Sequence, residues 1–214
     1  MSSTTPNEIS QDNPQAFWNV WEVAGNVILA LFFFRFLVQA GTGLMACFRI
    51  SALLLTCKLS LDVFFFLTRR RPKEVSFVPY DWAIAIVGTY CSLLFVTVPG
   101  SDNLLGTVVQ TFGFVLQVLS ILSLNRSFGI VAANRGIKTT GMYKYVRHPL
   151  YFAYVISYFG FIMNQPTVHN LTIYVCMTVF LYMRIVTEER LLSKSEEYRE
   201  YCKSTRCRLI PYVL

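Results

Sequence analysis

The chain has 214 residues, of which 54% are hydrophobic and 14% charged, whereas a typical soluble domain is roughly 25% charged. Apolar runs of about 20 residues, the length that crosses a bilayer, recur along most of the chain and argue against a soluble enzyme or binding module. The net charge of +7 does not indicate a nucleic-acid-binding protein, because the basic residues lie in loops between the apolar runs, where they set membrane topology.

Six apolar segments predict an all-α, polytopic membrane bundle. They cover residues 17–38, 44–67, 80–98, 104–124, 149–164 and 170–187. The second segment contains Arg49, Lys58 and Asp62, and we expect the two cations to snorkel or to line the bundle interior, as intramembrane charges usually do. The fifth segment is short for a full crossing, so five spans with one re-entrant or interfacial pair is the alternative.

Outside and between these segments the sequence divides into three regions. Residues 1–16 are rich in Ser, Thr, Asn and Gln and are predicted to be disordered. Residues 17–124 hold the N-terminal helices, and residues 125–214 form a C-terminal region with a loop, two helices and a tail. The tail begins with a predicted amphipathic helix over 188–202 that continues out of the last segment, because its apolar residues recur at helical spacing.

The basic residues are confined to alternate loops. Of the 19 Lys and Arg, four lie in residues 69–79, five in 125–148 and six in 188–214. The other three loops between the apolar segments carry none. Six spans place all three basic segments on one side of the membrane, which the positive-inside rule makes cytoplasmic. We therefore expect a multi-pass protein whose N-terminus also lies inside.

The loop before the fifth segment combines cations, aromatic rings and glycine. Residues 141–151 read GMYKYVRHPLY. Pro149 suits the first turn of a helix, which places His148 near the N-cap, where the helix dipole favours negative charge. This boundary is suited to an anionic, partly aromatic ligand at the membrane surface, although an ordinary juxtamembrane basic loop has the same composition.

A second group of polar residues ends the last segment. Arg184 and Glu188 are four residues apart and share a helix face, at the side of the membrane expected for His148. A desolvated Arg offers a planar, bidentate fork to a carboxylate; a local ion pair at the membrane surface is the alternative. The six cysteines show no spacing typical of zinc ligands, so no metal site is expected.

Together these motifs resemble the isoprenylcysteine carboxyl methyltransferase family, in particular its prokaryotic members. The similarity covers roughly residues 120–214. The loop that follows Glu189 is shorter than the usual form in the family. In this loop, Lys194 and Ser195 stand where the family usually has Phe-Gly. The matching motifs are RHPxY at 147–151, RxxxEE at 184–189, EYxxY at 197–201 and RLIP at 208–211.

The resemblance implies an integral membrane methyltransferase whose catalytic region is 125–214. It implies that S-adenosylmethionine binds between the C-terminal helices and the cytosolic segments, not in a Rossmann sheet. The implied catalytic residues are Arg184, Glu188 and His148, with Arg184 binding the substrate. The implied cofactor pocket comprises Arg135, Gly136, Ile137, Lys138, Tyr143, His148, Pro149, Leu150, Tyr151 and Glu188.

The expected reaction is carboxyl O-methylation of an apolar or lipidated substrate, because a carboxylate is already ionised at neutral pH and needs no general base. Methylation of a phospholipid amine or a small thiol is the enzymatic alternative, while an NADPH-dependent membrane reductase is disfavoured by the short chain. A small transporter or scaffold is the non-enzymatic alternative.

The expected partners follow from the same interpretation. They are the lipid bilayer and the apolar or lipidated carboxylate substrate, without nucleic acid or metal. The expected location is the cytoplasmic membrane of a prokaryote, or the endoplasmic reticulum membrane of a eukaryote, with the active site facing the cytoplasm.

Overall fold

The computed structural model describes residues 14–46, 48–68, 74–75, 78–97, 100, 102–124, 133–134 and 136–210. These residues are mainly helical, which confirms the predicted all-α class. The helices are α1 Pro14–Ala46, α2 Ile50–Thr68, α3 Pro79–Cys91, α4 Leu104–Leu124, α5 Pro149–Asn164, α6 Val168–Leu192 and α7 Glu196–Ser204. Within the described ranges, two short 3-10 helices cover Ser92–Leu94 and Gly141–Lys144.

The first six helices coincide with the six predicted apolar segments, although some ends differ. Helix α1 begins at Pro14, and most of the predicted disordered N-terminus lies outside the described residues. Helix α3 ends at Cys91 and is followed by a 3-10 turn, so it is shorter than the predicted 80–98. Among the described residues, α4 and α6 are the helices long and apolar enough to cross a membrane. The count of six crossings stays a prediction.

One short β pairing connects two of the loops. Strand β1, Glu74–Val75, pairs antiparallel with strand β2, Ala133–Asn134. The first strand follows α2 and the second precedes α5, and β2 also packs near α6. The pairing therefore holds two predicted basic loops together at one end of the bundle.

The single amphipathic helix predicted over 188–202 is wrong, because the chain turns between two helices. Helix α6 ends at Leu192, and Ser195 becomes the N-cap of α7, where its Oγ accepts a hydrogen bond from the N–H of Tyr198 at 3.3 Å. A serine cap followed by acidic residues in the first turn stabilises a new helix start. Helix α7 is itself amphipathic, with Tyr198 and Tyr201 on its buried face.

Helices α4 and α5 pack against each other at glycines. A Cβ atom at Gly113 would lie 2.3 Å from the backbone nitrogen of Ser157, and one at Gly160 would lie 2.3 Å from the backbone nitrogen of Gln110. Small residues allow membrane helices to approach this closely. The side chain of Asn164 then donates a hydrogen bond to Gln110 Oε1 at 3.1 Å across the same interface. This packing fixes the position of α5, which carries His148 at its start.

Replacing Gly113 with alanine is expected to lower the free energy of unfolding by about 1–3 kcal/mol, because overpacking forces the helices apart. Thermal unfolding of the purified protein in detergent measures the effect. Gly43→Ala is the matched control, since Gly43 lies in α1 and a Cβ atom added there would meet no atom within 4 Å, and alanine favours a helix by up to about 1 kcal/mol. Equal melting temperatures for the two variants would contradict the close packing of α4 on α5.

A buried ion pair closes the opposite end of the bundle. Arg49 precedes α2, is 8% exposed, and its Nη2 lies 2.6 Å from Asp102 Oδ1. Ser51 adds two hydrogen bonds to the same carboxylate, from its backbone N–H at 3.0 Å and from its hydroxyl at 2.8 Å. Arg49 is therefore buried in the bundle interior, as one of the two expectations had it. Burial raises the pKa of Asp102, but the hydrogen bonds from Ser51 and Arg49 outweigh burial and hold that pKa below its usual range.

Acidification is expected to destabilise this end of the bundle. The unfolded pKa of Asp102 is about 3.9 and its folded pKa is lower. The ion pair thus stabilises the fold above pH ~4, and this contribution is lost as the pH falls through the folded pKa. We expect Asp102→Asn to have a lower melting temperature than wild type at pH 7, and we expect its melting temperature to fall less on acidification. Glu200→Gln, which alters an exposed pair with Lys203, is the control; identical acid profiles for Asp102→Asn and wild type would overturn the expectation.

Candidate active site

Four segments meet at the end of the bundle where α5 begins: the 3-10 turn at 141–144, the start of α5, the last turns of α6 and the tail after α7. Pro149 occupies the first turn of α5, and His148 is the N-cap residue, as predicted. The imidazole of His148 points to α6, with Nε2 3.2 Å from Glu189 Oε1 and Nδ1 4.0 Å from Glu188 Oε2. His148 is 6% exposed, so it lies buried between two carboxylates.

Arg184 and Glu188 share a face of α6, as their spacing predicted. Arg184 Nη2 lies 3.8 Å from Glu188 Oε1, and its guanidinium lies 5.2 Å from the centre of the Tyr151 ring. Tyr151 donates a hydrogen bond from its hydroxyl to Glu188, and Arg184 Nη1 donates to Thr89 Oγ1 of α3 at 3.3 Å. A buried cation, an aromatic ring and a carboxylate are thus joined across three helices.

Tyr143 and the tail helix cover this group from the loop side. Tyr143 is 9% exposed, and its carbonyl oxygen accepts a hydrogen bond from the hydroxyl of Tyr201 at 2.6 Å. Burial raises the pKa of Tyr201 to about 12 and raises the pKa of Tyr143 well above its usual value. Both phenols are therefore neutral at physiological pH and act through hydrogen bonds and ring surface.

The loop residues expected to bind a cofactor are only partly described. Arg135 lies outside the described residues. Gly136 has a φ of 95°, and among the described residues no atom lies within 4 Å of the position that its Cβ would take. Glycine adopts this positive φ without strain. Ile137 and Lys138 are half-buried.

The remaining predicted pocket residues lie at the start of α5. Pro149 and Leu150 are buried. The side chain of Leu150 packs in the apolar cluster that includes Phe33 and Ile121. Contact between Leu150 and a ligand would therefore have to come from its backbone.

Glu189 connects the start of α5 to the tail, a role that the sequence did not predict. Its Oε1 lies 2.9 Å from Arg147 Nη1 and 3.2 Å from His148 Nε2, and its Oε2 lies 3.1 Å from Arg208 Nη2. We call these four side chains the Glu189 cluster. The only sequence signal for it was the second glutamate of the RxxxEE motif.

Backbone hydrogen bonds reinforce the Glu189 cluster. The N–H of Arg147 donates to the carbonyl of Cys207 at 3.0 Å, and the N–H of His148 donates to the carbonyl of Arg208 at 2.8 Å. The side chain of Arg147 also donates to the carbonyl of Arg206 at 3.1 Å. The tail is therefore attached directly beside His148, so it determines how the site is closed.

Comparison with known proteins shows which family this part of the chain resembles. Residues 102–199 match the family described as phospholipid methyltransferase. This segment contains α4, α5, α6 and the start of α7, and with them the four side chains His148, Tyr151, Arg184 and Glu188. This part of the chain is therefore similar to methyltransferases of that family. The methyltransferase resemblance drawn from the motifs is thereby confirmed at the level of the family.

One curated relative agrees with this assignment. The chain is 29% identical over 111 residues to a protein of Bradyrhizobium diazoefficiens named Methanethiol S-methyltransferase 1, and the match covers 49% of this chain. The chain spans 38% of the length of that relative. This part of the chain is therefore similar to a protein named for a thiol substrate.

Proposed function

We propose that the protein is an S-adenosylmethionine-dependent methyltransferase of the membrane that methylates the carboxylate of an apolar or lipidated substrate. The observation that carries the proposal is the buried guanidinium of Arg184, which lies against Tyr151 and one helical turn from Glu188. In this proposal the chain is multi-pass and the site opens to the cytoplasm, in agreement with the confinement of basic residues to alternate loops.

The chemistry of the site fits S-adenosylmethionine. When bound, this cofactor supplies an electrophilic methyl group on a positively charged sulfur. The carboxylate of Glu188 and the ring face of Tyr151 both attract a cation. The residues that would hold the cofactor are Arg135, Gly136, Ile137, Lys138, Tyr143, His148, Pro149, Leu150, Tyr151 and Glu188.

Arg184 is the residue proposed to bind the methyl acceptor. The residue is 7% exposed, and a charge–charge attraction is stronger in such a low-dielectric environment than in water. A guanidinium fork matches the geometry of a carboxylate and holds both oxygens in a defined orientation. Correct orientation of the reacting groups is the main contribution that an enzyme makes to a displacement of this kind.

The proposed role of Glu188 is to position these groups. Tyr151 donates a hydrogen bond to Glu188, which restricts the carboxylate to the side of α6 that faces His148. The carboxylate there balances the charge of Arg184 at 3.8 Å, a separation longer than a hydrogen bond. In this proposal helix α7 and the tail limit the access of water to the site, and Tyr198 and Tyr201 on α7 are buried.

Methylation of a thiol is the second candidate, and the name of the Bradyrhizobium relative favours it. A thiol must lose a proton before it attacks a methyl group, because the thiolate is the nucleophile. His148 and Glu188, whose side chains approach to 4.0 Å, are the groups that would accept this proton. A phospholipid amine has the same requirement for a proton acceptor and makes less use of Arg184.

Two measurements on the purified protein test the proposal. Calorimetric titration with S-adenosylhomocysteine is expected to show one binding site per chain, weakened by Tyr151→Phe because Glu188 loses its hydrogen bond. Radiolabelled methyl transfer to N-acetyl-S-farnesylcysteine is expected to give a base-labile ester. Octanethiol and phosphatidylethanolamine are the competing acceptors, and they give base-stable products.

The two measurements test cofactor binding and the methyl acceptor independently. A folded sample that does not bind S-adenosylhomocysteine would refute cofactor use and would favour the transporter or scaffold. Binding together with a base-stable product alone would refute the carboxylate acceptor and support the thiol or the amine. Arg199→Gln, an exposed substitution on α7, serves as the control that should change neither measurement.

A further inference from the structure

Helix α3 lies against the stem of Arg184 at a glycine. This helix ends at Cys91, before the segment 102–199 that matches the phospholipid methyltransferase family. A Cβ atom added at Gly88 would lie 3.1 Å from the Cβ of Phe180 and 3.3 Å from Arg184 Cδ, both tighter than ordinary van der Waals contact. Small residues allow helices to approach this closely. The backbone of α3 is therefore near enough for its next side chain to reach the guanidinium.

The side chain that reaches the guanidinium is Thr89. Its hydroxyl donates to the carbonyl of Ala85, one turn earlier in α3, at 2.7 Å, so the single hydroxyl proton is already used. Arg184 Nη1 donates to the same Oγ1 at 3.3 Å. Threonine is also restricted at χ1 in a helix. Thr89 therefore offers Arg184 a hydrogen-bond acceptor whose direction is set by the bond to Ala85.

An ion pair holds the other end of α3 against α6. Asp81 lies in the first turn of α3 and is 2% exposed, and its carboxylate pairs with Arg190 in the last turn of α6. Because Asp81 pairs with Arg190 while Gly88 lies beside Arg184, the two helices run antiparallel. The hydroxyl of Thr89 is thus carried by a helix that contacts α6 at two separate levels.

The bond to Thr89 restricts a side chain that is flexible by itself. Arginine has many rotamers, and a binding site that must first order them binds more weakly. The guanidinium of Arg184 contacts Thr89 on α3 through Nη1 and the ring of Tyr151 on α5, while Nη2 lies 3.8 Å from Glu188 Oε1. Because the guanidinium is planar, fixing Nη1 also fixes the direction in which the rest of the fork points.

We propose that Thr89 is a positioning residue for the methyl acceptor, because it holds the fork of Arg184 in the orientation that receives a carboxylate. This inference rests on the proposed function. Thr89 acts through Arg184 and increases the fraction of the protein in which the fork is ready to bind. When that fraction falls, the apparent affinity for the acceptor falls in the same proportion. The acceptor site thus includes a residue from outside the segment that matches the family.

Three substitutions at Thr89 separate the effect of its oxygen from the effect of its shape. Valine keeps the branched shape without the oxygen, alanine lacks both, and serine keeps the oxygen without the methyl group. Thr89→Val is expected to raise the KM for N-acetyl-S-farnesylcysteine about tenfold, the effect of losing one hydrogen bond to a charged group. Its kcat should stay within about threefold of wild type, since the charge of Arg184 remains. Thr89→Ala should match Thr89→Val, and Thr89→Ser should keep the wild-type KM within about threefold.

Thr56→Val is the matched control for the loss of a helical threonine hydroxyl. The hydroxyl of Thr56, on α2, also donates to the carbonyl four residues earlier, that of Ala52, at 2.9 Å. Its replacement should leave both KM and kcat as in wild type. A raised KM in Thr56→Val would mean that loss of the bond within the helix accounts for the effect, and it would contradict a role for Thr89 through Arg184.

The affinity for S-adenosylhomocysteine separates this role from a purely structural one. It should stay within about threefold of wild type in every Thr89 variant, because only the acceptor loses a positioned partner. If Thr89 merely supported the fold, KM would follow the melting temperature instead of the presence of the oxygen. A Thr89→Ser variant that raises KM as much as Thr89→Val does would therefore overturn the proposal.

The wild-type protein shows separately whether the proposed function holds. Wild type that forms no base-labile ester from N-acetyl-S-farnesylcysteine would refute the carboxylate acceptor and this inference with it. Wild type that forms the ester, with a Thr89→Val variant of equal KM, would refute the role of Thr89 alone.

Discussion

Arg184→Gln is expected to lower methyl transfer to a carboxylate acceptor by about 100-fold or more, the effect typical of removing one preorganised charge or donor from an active site. Glutamine preserves much of the side-chain length but removes the positive charge that would hold the acceptor beside Tyr151 and Glu188. The loss should appear in kcat/KM for the carboxylate substrate. Arg184→Lys should recover only part of it, because an ammonium group lacks the planar fork of a guanidinium.

The binding of S-adenosylhomocysteine distinguishes this role from a structural one. If Arg184 binds the methyl acceptor, affinity for S-adenosylhomocysteine should stay within about threefold of wild type while turnover falls, since only one of the two ligands loses its partner. A residue that merely supported α6 would lower the melting temperature and both ligand affinities together. Activity on the carboxylate that persists in Arg184→Gln would remove Arg184 from the mechanism, and a thiol or amine acceptor would then account better for the site.

The helices could be predicted because their signal is local. Each of the six apolar segments is long enough to recognise from hydropathy alone, and each coincides with a helix. The break at Ser193 to Ser195 could not be predicted in the same way, since residues 188–202 have helical spacing throughout. What ends α6 is the serine cap at Ser195, together with the burial of Tyr198 and Tyr201 against the loop before α5. The position at which α6 ends therefore depends on tertiary contacts.

The candidate site, like the fold, could be predicted only in its local features. The spacing of Arg184 and Glu188 predicted a shared helix face, and Pro149 predicted where α5 begins. The partner of His148 could not be predicted. Glu188 and Glu189 are adjacent in the sequence, but their side chains point to different neighbours, and the sequence does not show which way each side chain points. The structure assigns Glu188 to Tyr151 and Arg184, and assigns Glu189 to the tail.

The charges of the second helix show the same limit. The sequence left open whether Arg49 and Lys58 snorkel or line the interior. Both are buried, yet they differ in setting: Arg49 pairs with Asp102 at the end of α2, and Lys58 lies on the wall of a cavity near two tyrosine rings. Only the three-dimensional neighbours show that Arg49 forms an ion pair and that Lys58 lies beside aromatic rings.

The Glu189 cluster makes the tail a part of the site. One buried carboxylate receives Arg147 and His148 from the start of α5 and Arg208 from the tail. Arg208 is half-exposed and contributes less to stability than the buried residues of the cluster do. Arg147 is only 13% exposed at its side chain, so it depends on Glu189 for neutralisation. Loss of the carboxylate therefore affects the attachment of the tail and the orientation of His148 together.

Glu189→Gln is expected to lower the free energy of unfolding by about 2–3 kcal/mol, somewhat less than the ~3–5 kcal/mol typical of breaking a fully buried pair, because Arg208 can return to water. The tail should open more often, and trypsin should cleave after Lys203 and Arg206 about tenfold faster. Glu200→Gln is the control, since its pair with Lys203 is exposed and contributes little. If Glu189→Gln and Glu200→Gln showed equal melting temperatures and equal cleavage rates, the tail would be held by its backbone hydrogen bonds alone, and Glu189 would not connect it to His148.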